Sequence, residues 1–386
     1  MYVDAAIIGA GIVGTSCAFF LTRAGLKVAL IERGGIAGGT SGSGEGNILV
    51  SDKVPGPELE LARAGRALWQ TLAQELSADF EFEPKGGIVV AENDSQYRAL
   101  QAHNLAMREV GIETRILSTA ELYELEPLLA RDVAGAAYFP QDAQVQPMLA
   151  VAALVKHAQQ DGAILFDHTR VLAIERNKQG AICGLRTEQG SLTTPMIINA
   201  AGPWSAQVAA LAGLDVPIQP RKGHIVVTEP LPLLVRHKVY EATYFDTVNS
   251  GEADLQIASV VEGTKSGTIL LGSSRQLVGF DPTVEARVIR AIIQKAVRYF
   301  PVLASAHALR AYVGFRPFSP DHLPLIGEVT QAPGFYLNTG HEGAGIGLGP
   351  ISGKLLSQLI LGQTPDLDLT PFQPMRFKDG TVTHSL

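Results

Sequence analysis

Near the start of the chain, Gly9-Ala10-Gly11-Ile12-Val13-Gly14 has the glycine spacing of a turn that can hold a dinucleotide pyrophosphate. Gly9 permits a tight turn, Gly11 leaves backbone bare for the phosphates, and Gly14 lets a helix pack close to a sheet. A helix beginning there offers unpaired N–H groups and partial positive charge to an anion. Residues 27–31 form a second apolar run that ends in Glu32 and Arg33, and Glu32 is placed to accept hydrogen bonds from a ribose hydroxyl. The context carries the reading: an apolar run at 3–8, the glycine turn, a small-residue stretch at 15–26, a second run and an acid. The alternative is a glycine-rich surface turn before an ordinary helix.

Two more groups of residues have chemical potential. A glycine-dense loop follows Arg33, with Gly34, Gly35, Gly38, Gly39, Gly42, Gly44 and Gly46, and the hydroxyls of Thr40, Ser41 and Ser43 add donors for a pyrophosphate. Its alternative is a flexible linker. Residues 339–350 form a second glycine-rich turn that opens a helix at the far end of the chain. Two such turns separated by most of the protein suggest one long, bipartite cofactor. His341, Glu342 and His224 are candidate bases, and Tyr240 and Tyr244 are candidates to close over a substrate.

The bulk properties limit the function classes. With 386 residues, 46% of them hydrophobic, the chain can build two domains and a sizeable core. A net charge of -7 disfavours nucleic acid and gives no polybasic membrane patch. Two cysteines, Cys17 and Cys183, offer no disulfide framework and fit a reducing cytoplasm. No cationic-then-apolar leader opens the chain, and no apolar run is long enough to span a bilayer.

The elements that must position these groups follow from periodicity. Helical spacing of leucines predicts a helix over 57–76, then a strand at 87–90 and a helix over 95–110. Ser118-Thr119-Ala120-Glu121 fits a capping box, and 136–140 reads as an edge strand before Pro140. Pro147 opens an alanine-rich helix to Gly162, and strands at 171–176 and 181–187 flank a turn at 177–180. A third strand rises to 197–204. Strands at 223–229, 240–245, 255–261 and 268–273 form an antiparallel sheet carrying Tyr240, Tyr244 and Phe245. A helix over 284–300, a strand at 335–338 and a helix to 361 complete the chain.

The first glycine turn, the loop Gly39-Thr40-Ser41-Gly42-Ser43-Gly44-Glu45-Gly46-Asn47, the strand end Ile198-Asn199-Ala200-Ala201-Gly202-Pro203-Trp204, and residues 314–327 and 339–350 together resemble the FAD-dependent D-amino-acid oxidase superfamily. The likeness spans nearly the whole chain. It is nearest the branch that holds glycine oxidase, D-hydroxyproline dehydrogenase, the flavin subunit of hydrogen cyanide synthase and a subunit of opine oxidase. The resemblance implies an α/β fold. A Rossmann-like FAD-binding domain of the GR2 type would take 1–52, 145–218 and 310–386. A discontinuous α+β substrate domain on an antiparallel sheet would take 53–144 and 219–309.

It also implies roles. Residues 9–14, including Ala10, Ile12 and Val13, would hold the FAD diphosphate, with Glu32 and Arg33 at the adenosine ribose. Thr40, Ser41 and Asn47 would line the path to the flavin, Val171 would meet the adenine, and Ala200, Gly202 and Trp204 would lie near the cofactor. Gly340, Gly343, Gly345 and Ile346 would approach the pyrimidine edge of the flavin. Arg316 would pair with a substrate carboxylate, which a planar guanidinium fits with two hydrogen bonds; the alternative is a salt bridge to Asp321. Catalytic candidates are thus Arg316, Tyr244 and His341. No cysteine follows Cys183, so FAD is expected to be non-covalent, and no metal is expected.

The implied reaction is oxidation of the C–N bond of an amino or imino acid, by hydride transfer to flavin N5, leaving an imine. One alternative is a flavin subunit that passes electrons to partner chains or a respiratory acceptor, in the cytoplasm or held at the inner membrane face by partners. Another is a nicotinamide-binding protein that carries the first motif, which the second glycine turn argues against.

Overall fold

The computed structural model describes residues 1–76, 78–244, 251 and 254–380. Its first layer is a six-stranded sheet in the order Leu325–Glu328, Phe335–Thr339, Ile197–Asn199, Ala5–Ile8, Val28–Ile31, Ile164–Phe166. All neighbours are parallel except the first pair. A parallel sheet buried on both faces needs apolar residues at every position, which the runs at 5–8 and 28–31 supply. Ala5, Ile7, Val28 and Leu30 face a layer of helices, while Ala6, Ile8, Ala29 and Ile31 face a three-stranded antiparallel sheet of Val171–Arg176, Ile182–Thr187 and Gly190–Thr193.

The helix layer depends on close approach. The N-terminal helix, Ile12–Arg23, packs against the C-terminal helix, Gly345–Ile360. A Cβ on Gly353 would sit 2.7 Å from Ser16 Cβ and 2.9 Å from the Cys17 amide nitrogen. On the other side, a Cβ on Gly65 of helix Pro57–Glu75 would come within 2.6 Å of the Gly347 carbonyl oxygen. Trp69, fully buried, donates its indole N–H to the Ile346 carbonyl at 3.0 Å. The C-terminal helix is therefore wedged between two others and starts where the N-terminal helix starts.

The second layer is an eight-stranded sheet: Ala308–Phe318, Gln219–Thr228, Ile269–Arg275, Gln256–Gly263, Lys238–Glu241, Gly87–Ala91, Gly135–Phe139, Arg115–Leu117. It is antiparallel apart from Gly87–Ala91 beside Lys238–Glu241. Helix Ala286–Tyr299 covers one face through Val288, Ile292 and Ala296. The capping box on helix Thr119–Leu125 is present, with Ser118 and Glu121 exchanging hydrogen bonds.

Several expectations need correction. Strand 135–139 is not an edge, because Arg115–Leu117 pairs outside it. Three-residue strands at 115–117 and 164–166, and the four residues at 190–193, are too short to show periodicity and were not foreseen. Strand Ala308–Phe318 crosses the expected boundary at 310 and lies in the larger sheet. The strand expected at 240–245 is observed at Lys238–Glu241, and Phe245 lies outside the described residues.

Replacing Gly353 by Leu forces the two terminal helices apart. Urea unfolding should show a loss of about 2–3 kcal/mol, the scale of overpacking in a close-packed core. An unchanged unfolding midpoint would show that the helices are not held by this contact.

Candidate active site

The carboxyl ends of the parallel strands open into a cleft of about 430 Å³. Open α/β sheets place ligands at this edge. One end is lined by Gly9, Gly11, Ile12, Val13, Glu32, Arg33 and Val171; the other by Gly223, Arg316, His341, Gly343, Gly345 and Ile346. Thr40, Ser41, Ala200, Gly202 and Trp204 line the middle. The two glycine turns, from opposite ends of the chain, thus share one cavity.

Local chemistry explains the shape. Gly9, at φ +110, turns out of the first strand, where a Cβ would lie 2.5 Å from the Ala200 carbonyl oxygen. Neither Gly11 nor Ala344, the residues before the two helices, supplies a side-chain cap. Ser41 Oγ accepts from the Ile12 amide at 3.0 Å. Glu32 accepts from the amides of Ala10 and Gly34, each at 2.9 Å, so it ties the two turns together while facing the cleft. The glycine-dense loop is not a free linker. Thr40 Oγ1 donates to the Phe315 carbonyl, and a Cβ on Gly314 would lie 2.7 Å from Ser43 Cβ. The Arg33 guanidinium lies 4.0 Å from the Trp204 ring, which stacks on Phe280.

The far end is charged. Arg316 donates to the Ser274 carbonyl at 2.9 Å and, among the described residues, has no carboxylate within salt-bridge distance. The expected alternative partner, Asp321, is held instead by Arg376 at 2.6 Å. Desolvation, then the nearby Arg275 guanidinium, pushes Arg316 down to about 10, so it stays cationic at neutral pH. Glu342 is buried at φ +45, 2.6 Å from Arg221, 3.2 Å from His322 and 3.9 Å from Arg275. Burial would raise its pKa; the His322 hydrogen bond and the two guanidiniums override that and hold it at about 2. Glu342 is therefore a fixed anion under the second glycine turn, not a base.

His341 lines the cleft and is pushed down to about 3 by burial, so its ring is neutral. Ser352 Oγ donates to the Leu348 carbonyl at 2.7 Å, so His341 Nε2 carries the proton it gives to Ser352 at 2.9 Å. The lone pair is then on Nδ1. His224 is a different case. It is fully buried, does not line the cleft, and is held between Ser274 Oγ and the Glu285 amide.

Five expected site residues stand back from the cleft. Ala10 gives its amide to Glu32 and its carbonyl to the Ala37 amide. Gly14 sits behind the turn, where a Cβ would strike the Gly9 carbonyl oxygen. Gly340, at φ +82, shapes the second turn against Leu325 and Ile218. Asn47 is buried between Glu45 and Lys238. Tyr244 packs on Arg275, 4.8 Å from its ring, and on Tyr240, instead of closing over the cavity. Residues not foreseen include Arg221, Arg275 and the cleft-lining Glu45. A charged residue closing the apolar strand Ile269–Arg275 was the available signal for Arg275.

Two measurements check this electrostatic account. Glu342→Gln leaves Arg221 buried without its anion and should cost about 3 kcal/mol in chemical unfolding. For His341, the folded pKa lies below the ordinary 6.5, so the unfolded chain binds more protons there. Stability should therefore fall as pH drops below 6.5, and His341→Asn should flatten that fall.

Comparison with known proteins agrees with this geometry. The family model described as DAO, FAD dependent oxidoreductase, matches residues 4–359. Glycine oxidase of Geobacillus kaustophilus is 29% identical over 97% of each chain, and its crystal structure superposes with a TM-score of 0.89 over 97% of this chain and 99% of that one. Hydrogen cyanide synthase subunit HcnC of Pseudomonas aeruginosa is 30% identical over 97% of this chain and 96% of its own. Iminodiacetate oxidase of Chelativorans sp. BNC1 is 26% identical, covering 96% of this chain and 99% of that one, with a TM-score of 0.83. The protein therefore uses FAD, and the chain belongs to the DAO family of FAD-dependent oxidoreductases that act on amino acids and amines.

Proposed function

We propose that the protein oxidises the C–N bond of an amino or imino acid with a free carboxylate: the amine gives up a proton to solvent, the Cα hydrogen passes as a hydride to flavin N5, and an imine is left. The observation that carries this is Arg316, a half-buried cation that has no acidic partner among the described residues, in the same cavity as both glycine turns. The FAD supplies the two-electron acceptor. The cleft fits it: bare backbone at Gly9, Gly11, Gly343 and Gly345 and two helix N-termini face one cavity.

In this reading Gly11, Ile12 and Val13 hold the diphosphate, and Glu32 keeps acceptor capacity for a ribose hydroxyl. Arg316 fixes the substrate carboxylate, and so the direction in which its C–H points. Gly343, Gly345 and Ile346 border the flavin, where the helix end favours negative charge. Cys17 is buried in the N-terminal helix and Cys183 lies in the three-stranded sheet; neither lines the cleft, which supports non-covalent FAD. The six-stranded sheet serves as the FAD-binding domain and the eight-stranded sheet as the substrate domain. A second reading, in which partner chains receive the electrons, is favoured by one fact: HcnC is named as a subunit. No helix among the described residues is long and apolar enough to cross a membrane, so attachment to one would run through such partners.

Purified protein should be yellow and release FAD on denaturation. Without oxygen, carboxylate-bearing amines from a panel of D-, L- and N-substituted amino acids should bleach it; bleaching by none would overturn the reading. Activity of the lone chain with an artificial acceptor separates the two readings. Arg316→Ala should lower kcat/KM for such substrates about a hundredfold or more, the scale of losing a desolvated charge partner. Unchanged kinetics would remove Arg316 from the site.

A further inference from the structure

Glu45 is a buried acid in the glycine-dense loop. Its side chain is 8% exposed and lines the cleft. Its Oε2 receives one long hydrogen bond, from Asn47 Nδ2 at 3.4 Å, and its Oε1 is buried with no hydrogen-bond partner. Space for that oxygen exists because position 272 is glycine, where a Cβ would collide with it.

The neighbouring cations do not complete it. Lys238 is engaged by Glu262 and Asn47. Arg221 is engaged by Glu342, with Arg275 3.9 Å from the same carboxylate. Arg316 lies close enough for Glu45 to oppose the fall in its pKa, yet the two form no ion pair. That oxygen is packed against Gly272 and out of contact with the cleft as it stands, so a ligand reaches it only as the carboxylate turns; a donor supplied in that way recovers the free energy that the unpaired buried oxygen costs. Among the described residues, one cavity thus presents a cation without a carboxylate partner and an under-satisfied anion. That pair of charges matches a zwitterion.

We infer that Glu45 receives the cationic nitrogen of the substrate, so that the site selects amino or imino acids over simple carboxylates. This rests on the proposed capture of the carboxylate by Arg316. Glu45 is then a binding residue for the nitrogen at the carbon to be oxidised, and a specificity determinant in a loop whose other residues hold the cofactor.

The test uses the oxidised holoenzyme and two ligands of nearly equal shape that cannot be oxidised. 2-Aminoisobutyrate is a zwitterion without a Cα hydrogen; pivalate has a methyl group in place of the ammonium. Binding is followed by calorimetry and by the visible spectrum of the bound flavin. Wild type should bind 2-aminoisobutyrate about tenfold tighter or more than pivalate, as expected for one charge-assisted contact. Glu45→Gln should reduce that preference to about twofold or less, and Glu45→Asp should keep most of it. Equal wild-type affinities would overturn the inference and leave the Arg316 reading standing. So would a Glu45→Gln enzyme, with normal FAD content, that keeps the full preference. Failure of wild type to bind either ligand would remove the Arg316 reading and this inference with it. The wild-type comparison tests selection of the zwitterion by itself, and either variant that folds with normal FAD content tests its assignment to Glu45.

Discussion

The structure depends on the close contact of two helices from opposite ends of the chain. Gly353 lets the C-terminal helix approach within van der Waals distance of Ser16 and Cys17, and Gly349 does the same against Ile12. Any side chain at Gly353 would meet backbone. Because both helices begin at the same cleft, this packing brings their N-termini to one cavity. The glycine turns line one cavity because the helices behind them are packed together. Trp69, bonded to the Ile346 carbonyl, and Gly65, pressed on Gly347, hold the second helix from its other side.

The larger sheet supplies the charge. Its edge strand Ala308–Phe318 pairs with Gln219–Thr228, whose other neighbour is Ile269–Arg275. These three strands carry Arg316, Arg221 and Arg275 to one side of the cavity. Buried guanidiniums are unstable without anions, and Glu342 provides one at the second glycine turn. The same ion pair therefore stabilises the strands and fixes the second glycine turn. Arg316 is left out of that arrangement, with its charge directed to whatever enters. Catalysis by positioning needs such an anchor more than it needs a side-chain base. The neutral His341, with its proton committed to Ser352, fits a site of that kind.

Much of this was legible in the amino-acid order, for physical reasons. The glycine turns were readable because each glycine answers a local steric demand, such as the positive φ of Gly9 or the collision that a Cβ on Gly14 would make. Long helices and strands were readable through their period. Strands 115–117 and 164–166 were not, since three residues show no period and their pairing is set by neighbours far along the chain. Pro140 just beyond strand 135–139 suggested an edge, but the proline stands outside the ladder and removes no hydrogen bond from it. Tyr244 and Asn47 were misplaced because proximity in sequence to a site does not decide which way a side chain turns. The Arg221–Glu342–Arg275 cluster was invisible because its members come from three separate elements.

The central claim is that both chain ends grip one FAD. Hydrogen–deuterium exchange on the protein stripped of FAD and then reloaded tests it most directly. FAD should protect amides in two places at once: residues 9–14 and residues 343–346. Protection confined to the first turn, with the second exchanging equally in both forms, would contradict it.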